Sequence, residues 1–179
     1  MGLSNITTQM RILVLLAFIL MSCTKLNSTQ VIDNDLLRNL KQSLTIDGKN
    51  ISEDKIKNRI VILNFWASWC GPCMEETPSL LKLINKNKND FILISVSEDD
   101  SVKEMQKFIR LFPLAKSDNV ILIHDQNRKW SQGYSVFKFP ETFVYDRKLN
   151  LVKKFSGSIS FQDSQIDIFF QNLITKKID

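Results

Sequence analysis

Histidine and cysteine are scarce in this sequence of 179 residues, which holds one histidine and three cysteines. Two cysteines, Cys70 and Cys73, are separated by two residues, a spacing that also begins many zinc sites. No second pair of cysteine or histidine residues completes four ligands, so the pattern argues against structural zinc. His124 is isolated at the end of a predicted strand, a position more typical of a surface or hydrogen-bonded histidine than of a metal ligand.

A stripe of arginines interleaved with aromatic residues is also missing. The net charge of +5 is spread along the chain, with only short lysine pairs at positions 153–154 and 176–177. Scattered charge is typical of a solvated surface, so we expect no binding to nucleic acid. Ordinary apolar and charged fractions at this length predict one globular domain with an N-terminal appendage.

The N-terminal segment lacks an apolar run long enough to span a bilayer comfortably. Residues 12–21 are ten apolar residues without a charge, preceded by Arg11. Ten residues are short for a hydrocarbon core of ~30 Å, whereas a basic residue before a short apolar run is typical of a signal peptide. We therefore predict an exported protein.

Residues 20–23, Leu-Met-Ser-Cys, resemble a bacterial lipobox, which implies cleavage before Cys23 and acylation of its thiol. The resulting organisation is a signal peptide over 1–22, a lipidated tether over 23–34 and a domain over 35–179. Thr24 follows the cysteine, which by analogy with Gram-negative sorting favours the outer membrane over the inner one. An ordinary signal peptide with a coincidental cysteine and a longer uncleaved anchor are the alternatives.

The two central cysteines lie where a predicted strand meets a predicted helix. Residues 60–63 are apolar as in a buried strand, and Gly71-Pro72 turns the chain before a leucine-rich helical segment. At a helix N-terminus, unpaired N–H groups and the helix dipole favour an anion, here the Cys70 thiolate. Cys73 is close enough to form a disulfide with it, so the pair can store and release two electrons.

The segment 64–78, Asn-Phe-Trp-Ala-Ser-Trp-Cys-Gly-Pro-Cys-Met-Glu-Glu-Thr-Pro, resembles the active site of the thioredoxin family. Residues 69–73 of this segment match the family's active site, and the full segment 64–78 is similar to the membrane-tethered TlpA/ResA-like branch. Matching features extend from about Asp47 to the C-terminus. The resemblance implies a thioredoxin-like three-layer α/β/α fold with a mixed central sheet and an N-terminal β-hairpin extension.

The remaining patterns agree with alternating helices and strands. Asp47-Gly48 is a turn signal for a small hairpin, whereas Leu36, Leu37, Leu40 and Leu44 have helical spacing where family members usually place a strand. Predicted strands cover residues 91–96, 120–123, 141–145 and 151–155, and predicted helices cover a segment ending before Pro113 and a segment through Trp130. A last helix is predicted from a capping box of Ser160 and Asp163, with its buried stripe within residues 166–174.

Thiol–disulfide exchange requires an accessible thiolate and a nearby resolving thiol. We predict that Cys70 attacks, with a pKa within the range of ~3.5–7.5 reported for activated cysteines, and that Cys73 resolves the mixed disulfide. No cofactor beyond this redox-active pair is expected. Gly71-Pro72 is shared with thioredoxin, which is reducing at about −270 mV, whereas DsbA is oxidising at about −120 mV, so the analogy favours a reductant.

Glu76 is predicted to take the proton of Cys73, because a buried carboxyl with a raised pKa can act near neutral pH. Thioredoxin has an aspartate six residues before its first cysteine, but the matching Asn64 here cannot titrate. The TlpA/ResA-like branch instead has a glutamate three residues after the second cysteine, which is Glu76. The alternative is that Glu76, like Glu75, merely complements the helix dipole.

Three further residues are predicted to contact substrate. By resemblance, Trp69 is an exposed flat surface beside the nucleophile, and Phe139-Pro140 matches the family's cis-proline opposite the cysteine pair. In the family the backbone of the residue before this proline pairs with a substrate strand. Phe139 is bulky for that position and is expected to narrow substrate choice.

The resemblance implies a monomeric thiol–disulfide oxidoreductase on the periplasmic side of the envelope. Family members commonly reduce envelope proteins, including the haem-binding cysteines of apocytochromes c, and receive electrons from a membrane thiol carrier resembling CcdA or DsbD. The alternatives are a Sco-like copper-delivery protein that uses both cysteines and His124, a peroxiredoxin-like peroxidase, whose Pro-x-x-x-Thr-x-x-Cys loop is absent, and a tethered binding module.

Overall fold

The computed structural model describes residues 34–175, which form a five-stranded mixed sheet with helices on both faces. The strands are β1 (Ile60–Trp66), β2 (Phe91–Ser97), β3 (Val120–His124), β4 (Glu141–Tyr145) and β5 (Leu151–Ser156). The α-helices are α1 (Asn34–Lys41), α2 (Gly71–Lys86), α3 (Val102–Ile109), α4 (Lys129–Gly133) and α5 (Ser164–Thr175), and short 3-10 helices cover Glu53–Lys55 and Pro113–Lys116.

Strand β1 is the centre of the sheet, whose order is β3-β2-β1-β4-β5. It runs parallel to β2 and antiparallel to β4, and β3 continues the parallel half while β5 continues the antiparallel half. All seven residues of β1 are buried, which explains its nearly continuous apolar sequence. The cysteine loop therefore begins at the end of a fully buried central strand.

Alternate side chains of β1 enter two separate hydrophobic cores. Ile60 and Ile62 pack with α2, α3 and α5 on one face, whereas Val61 and Leu63 pack with α1 and α4 on the other. This alternation is the expected consequence of the two-residue period of a strand. The predicted three-layer α/β/α arrangement with a mixed sheet is confirmed.

The ambiguous N-terminal segment is a helix followed by a short hairpin. Helix α1 buries Leu36 and Leu40, and a single antiparallel bridge joins Leu44 to Asn50. Gly48 has a φ of +73° at the turn, a backbone conformation that glycine adopts without a Cβ penalty. The predicted hairpin extension is thus present as one bridge rather than as two extended strands.

The predicted signal peptide, the tether and Cys23 lie outside the described residues. Within residues 34–175, every helix is too short or too polar to cross a bilayer. The predicted elements from β1 onward agree with the structure to within a few residues at their ends.

Candidate active site

The loop after β1 places Cys70 at the N-cap of α2. Its backbone is extended (φ −86°, ψ 105°), and its Sγ accepts a hydrogen bond of 3.2 Å from the backbone N–H of Cys73. Pro72 is tolerated in the first turn because the N–H it lacks would have no helical partner there. An N–H at the helix start therefore points at the sulfur, as a stabilised thiolate requires.

Cys70 and Cys73 form a disulfide, with their Cα atoms 5.3 Å apart. Cys73 is 1% exposed and Cys70 is 6% exposed, so the resolving position is the more protected of the two. The structure thus brings together the two thiols that the sequence predicted to act as a redox pair.

Asp99 anchors the cysteine loop to the end of β2, a contact that sequence reasoning missed. Its Oδ1 accepts hydrogen bonds from the backbone N–H of Ser68 at 2.8 Å and from the Ser68 hydroxyl at 2.6 Å. Its Oδ2 accepts a bond of 2.7 Å from the Ser97 hydroxyl. The carboxylate is buried, and it therefore fixes the chain two residues before the first cysteine.

Glu76 is buried one turn of α2 after Cys73, whereas its neighbour Glu75 is exposed. Its Oε1 accepts a bond of 3.1 Å from the Asn64 amide, and its Oε2 accepts a bond of 2.9 Å from the backbone N–H of Ile159. Burial raises the pKa of Glu76 from 4.5 to about 7, although the hydrogen bonds from Ile159, Asn64 and Thr142 act in the opposite direction. The carboxyl can therefore exchange a proton near neutral pH.

Trp69 and Phe139 form an aromatic contact beside the disulfide. The Trp69 side chain is 66% exposed, and its ring meets that of Phe139 edge-on with centroids 5.7 Å apart. The Phe139–Pro140 peptide bond is cis, as the resemblance implies, and Pro140 is buried. The structure thus places Trp69 and Phe139 in contact, with the cis peptide bond directly after Phe139.

Two further apolar side chains close in sequence to these residues are exposed, and they were not predicted as contacts. Phe137, two residues before Phe139, is 91% exposed, and Met74, one turn of α2 after Cys70, is 43% exposed. The only sequence signal was their proximity to the motif residues, since burial of an isolated aromatic residue cannot be read from local sequence.

His124 ends β3, and its Nε2 donates a hydrogen bond of 2.7 Å to the backbone oxygen of Asp99. Among residues 34–175, no group of three or more histidine, cysteine, aspartate or glutamate side chains could hold a metal ion.

A family model described as redoxin matches residues 32–167, which is more than half of the chain. The thiol-disulfide oxidoreductase ResA of Bacillus cereus is 29% identical over 113 residues, covering 63% of this chain and 63% of ResA. The thiol:disulfide interchange protein HelX of Rhodobacter capsulatus is 32% identical over 122 residues, covering 68% of this chain and 60% of HelX. The chain therefore spans less than two thirds of the length of these curated relatives.

A solved structure supports the fold. The secreted Mycobacterium tuberculosis disulfide oxidoreductase homologous to E. coli DsbE matches with a TM-score of 0.58 and 22% identity, over 73% of this chain and 95% of that one. Since the redoxin match includes the central strand, the disulfide and the buried glutamate, the chain belongs to the redoxin family, as a TlpA/ResA-like protein of thioredoxin fold.

Proposed function

We propose that this protein is a thiol–disulfide oxidoreductase that reduces disulfides of proteins outside the cytoplasm. The observation that carries the proposal is the Cys70 sulfur at the start of α2, accepting an N–H bond while paired with a buried Cys73. A helix-terminal sulfur of this kind is suited to nucleophilic attack as a thiolate.

The reaction proceeds in two exchanges. The Cys70 thiolate attacks one sulfur of a client disulfide, so that a mixed disulfide forms and the first client thiolate leaves. Cys73 then loses its proton and attacks Cys70, which releases the second client thiolate and leaves the Cys70–Cys73 disulfide. The client gains two electrons and the protein loses two, which a separate thiol donor must restore.

Glu76 takes the proton of Cys73 in the second exchange. A pKa of about 7 leaves a substantial fraction of the carboxyl charged at neutral pH, so that it can accept this proton and later release it. Its position one helical turn after Cys73, and the exposed position of Glu75, favour this role over a simple interaction with the helix dipole.

The client contacts the apolar surface formed by Trp69 and Phe139, and it extends to the exposed Phe137 two residues before Phe139. An aromatic side chain that is 91% exposed, as Phe137 is, leaves apolar area in water that a bound segment can cover. The fitting partner is an extended segment of an oxidised protein with apolar residues next to its cysteine, and it pairs with the backbone of the residue before Pro140, as the resemblance implies.

The protein acts at the envelope, where residues 1–22 direct its export and Cys23 carries a lipid. The outer membrane is favoured over the inner membrane as the site of the anchor, and the domain faces the periplasm.

Electrons come from a membrane thiol carrier resembling CcdA or DsbD, and apocytochromes c are one class of client. The similarity to ResA and HelX supports the oxidoreductase assignment. Mass spectrometry of the membrane fraction tests the lipid: an unmodified Cys23 would overturn this anchor.

The equilibrium reduction potential of the Cys70/Cys73 pair tests the proposed direction. A potential near that of thioredoxin, about −270 mV, is expected for a reductant, whereas one near that of DsbA, about −120 mV, would overturn the assignment. The Cys73→Ser variant should trap a mixed disulfide with a client, and Cys70→Ser should trap none. Disulfide reduction by Cys70→Ser at the wild-type rate would overturn the proposed nucleophile.

A further inference from the structure

β1 is buried on both faces, and six of its seven side chains are aliphatic or aromatic. The exception is Asn64, which carries an amide. A buried amide costs free energy unless its N–H groups and its oxygen find partners. The Asn64 side chain is 6% exposed, and its Nδ2 donates to Glu76 Oε1 at 3.1 Å and to Thr142 Oγ1 at 2.9 Å. Both amide hydrogens therefore have acceptors within one small cluster.

The sheet itself aligns the two neutral members of this cluster. Asn64 of β1 lies directly opposite Thr142 of β4 in the antiparallel register, so their side chains project from the same face of the sheet. Glu76 comes from α2, which packs on that face. The Thr142 side chain also hydrogen-bonds to the Glu76 carboxylate while its oxygen accepts from Asn64, and Thr142 is only 1% exposed.

We propose that Asn64, held in place by Thr142, is the positioning residue for the Glu76 carboxylate, and that it stabilises the charged form that accepts the proton of Cys73. The mechanistic part of this inference rests on the proposed function, in which Glu76 is the proton acceptor. The hydrogen-bond part does not, because it concerns the orientation and ionisation of one carboxyl group.

The other groups around Glu76 that could affect the ionisation of its carboxyl come from α2, β4, β5 and the segment after β5. From the segment after β5 the backbone N–H of Ile159 donates to its second oxygen, and Cys73, one turn earlier on α2, carries no charge while it is held in the disulfide. Glu141, the residue before Thr142 on β4, forms an ion pair with Lys154 on β5, in which Nζ lies 2.9 Å from Oε2. Donors from neutral groups, rather than a nearby charge, therefore oppose the effect of burial on this carboxyl.

The test is a pH titration of the Glu76 side-chain carboxyl in the full, oxidised chain, followed by its ¹³C chemical shift and assigned with the Glu76→Gln variant. The wild type should titrate near pH 7. Removal of a hydrogen bond to a charged group in Asn64→Ala should raise the midpoint by about one pH unit or more. An unchanged midpoint would overturn the proposal.

The matched control is Asn119→Ala, which also deletes a buried amide. Asn119 is 5% exposed, and its Nδ2 donates to the backbone oxygen of Ile84 at 3.0 Å rather than to the Glu76 cluster. Its loss should leave the Glu76 midpoint in place, and an equal shift in both variants would overturn the proposal.

If Asn64→Ala does not fold, the Thr142→Val variant provides the test. A raised titration midpoint of Glu76 supports the proposal, and an unchanged midpoint overturns it.

A kinetic arm separates this proposal from the proposed proton transfer. The pH profile of disulfide reduction should move to higher pH in Asn64→Ala, but Asn64→Ala should add no further shift in a Glu76→Gln background. A raised Glu76 midpoint with a kinetic profile that is insensitive to Glu76→Gln would support the Asn64 bond and overturn the proton role of Glu76. An equal kinetic shift in both backgrounds would overturn the action of Asn64 through Glu76.

Discussion

Ser68 and Asp99 are joined twice, because the backbone N–H and the hydroxyl of Ser68 both donate to the same carboxylate oxygen of Asp99. The two residues are 31 positions apart in sequence, and the contact fixes the loop that carries Trp69 and Cys70 to the end of β2. The buried Asp99 carboxylate thus fixes the position of the loop that leads into α2, where Cys70 is the N-cap residue.

Asp99→Asn should destabilise the protein by about 1–3 kcal/mol, because one acceptor oxygen is replaced by an NH₂ group facing donors. Urea unfolding of the oxidised protein measures this loss. Asp100→Asn changes an exposed aspartate at the next position and should have little effect. Equal stability of the two variants would contradict the anchoring role of Asp99.

Cys70 should react with iodoacetamide at lower pH than free cysteine, whose thiol ionises at about 8.5, because the start of α2 directs an N–H at its sulfur. The measurement is the pH dependence of the alkylation rate in the Cys73→Ser variant. Cys73 in the Cys70→Ser variant, a side chain that is 1% exposed in the oxidised protein, should react far more slowly. A Cys70 profile equal to that of free cysteine would remove the basis for its role as nucleophile.

Glu76→Gln should slow the resolving step by at least about tenfold at pH 7.5, because the proton of Cys73 loses its acceptor. The expected signature is accumulation of the mixed disulfide in quenched-flow samples, together with a flattened pH dependence near pH 7. Glu75→Gln alters the adjacent exposed carboxyl and should leave the rate and the profile in place. A wild-type profile in Glu76→Gln would refute the proton role.

The same carboxyl should make stability depend on pH. Burial raises the pKa of Glu76 from 4.5 to about 7, so the folded chain holds this proton more tightly than the unfolded chain. The resulting stabilisation is complete below pH 4.5 and is lost as the pH rises through about 7. Between pH 4.5 and 8, the free energy of unfolding of the wild type should therefore fall relative to that of Glu76→Gln, by roughly 3 kcal/mol at most.

Urea unfolding of the oxidised wild type and Glu76→Gln at pH 4.5 and pH 8 measures this difference. Glu75→Gln is the matched control for loss of a carboxyl on the same helical turn, and it should follow the wild type at both pH values. A gap between wild type and Glu76→Gln that does not change with pH would contradict the raised pKa.

Phe137→Ser should raise the KM for a protein disulfide about fivefold or more and leave kcat nearly unchanged, since a buried aromatic contact in an interface contributes more than about 1 kcal/mol. Steady-state kinetics with a protein client and with a small disulfide such as dithionitrobenzoate measure the effect. Ile168→Ser removes another exposed apolar side chain, on the outer face of α5, and should not alter either KM. An unchanged KM for the protein client would exclude Phe137 from the client surface.

Local sequence was sufficient to predict the redox pair and most of the fold. The apolar run of β1, the turn at Gly71-Pro72 and the leucine spacing of α2 are short-range patterns, and each specifies its element without reference to distant residues. The helical spacing of Leu36 and Leu40 was ambiguous, however, because only packing against the second core selects the helix.

The polar contacts of the site were decided by tertiary structure. Asn64 meets Glu76 across 12 positions and Thr142 across 78, and Ile159 reaches Glu76 across 83. Such contacts depend on strand register and on the packing of α2 against the sheet, which periodicity does not encode. The sequence by itself therefore determined which two cysteines pair at the start of α2. The folded arrangement decided which neutral donors counter the effect of burial on the pKa of Glu76, because hydrogen bonding and desolvation depend on neighbours in space.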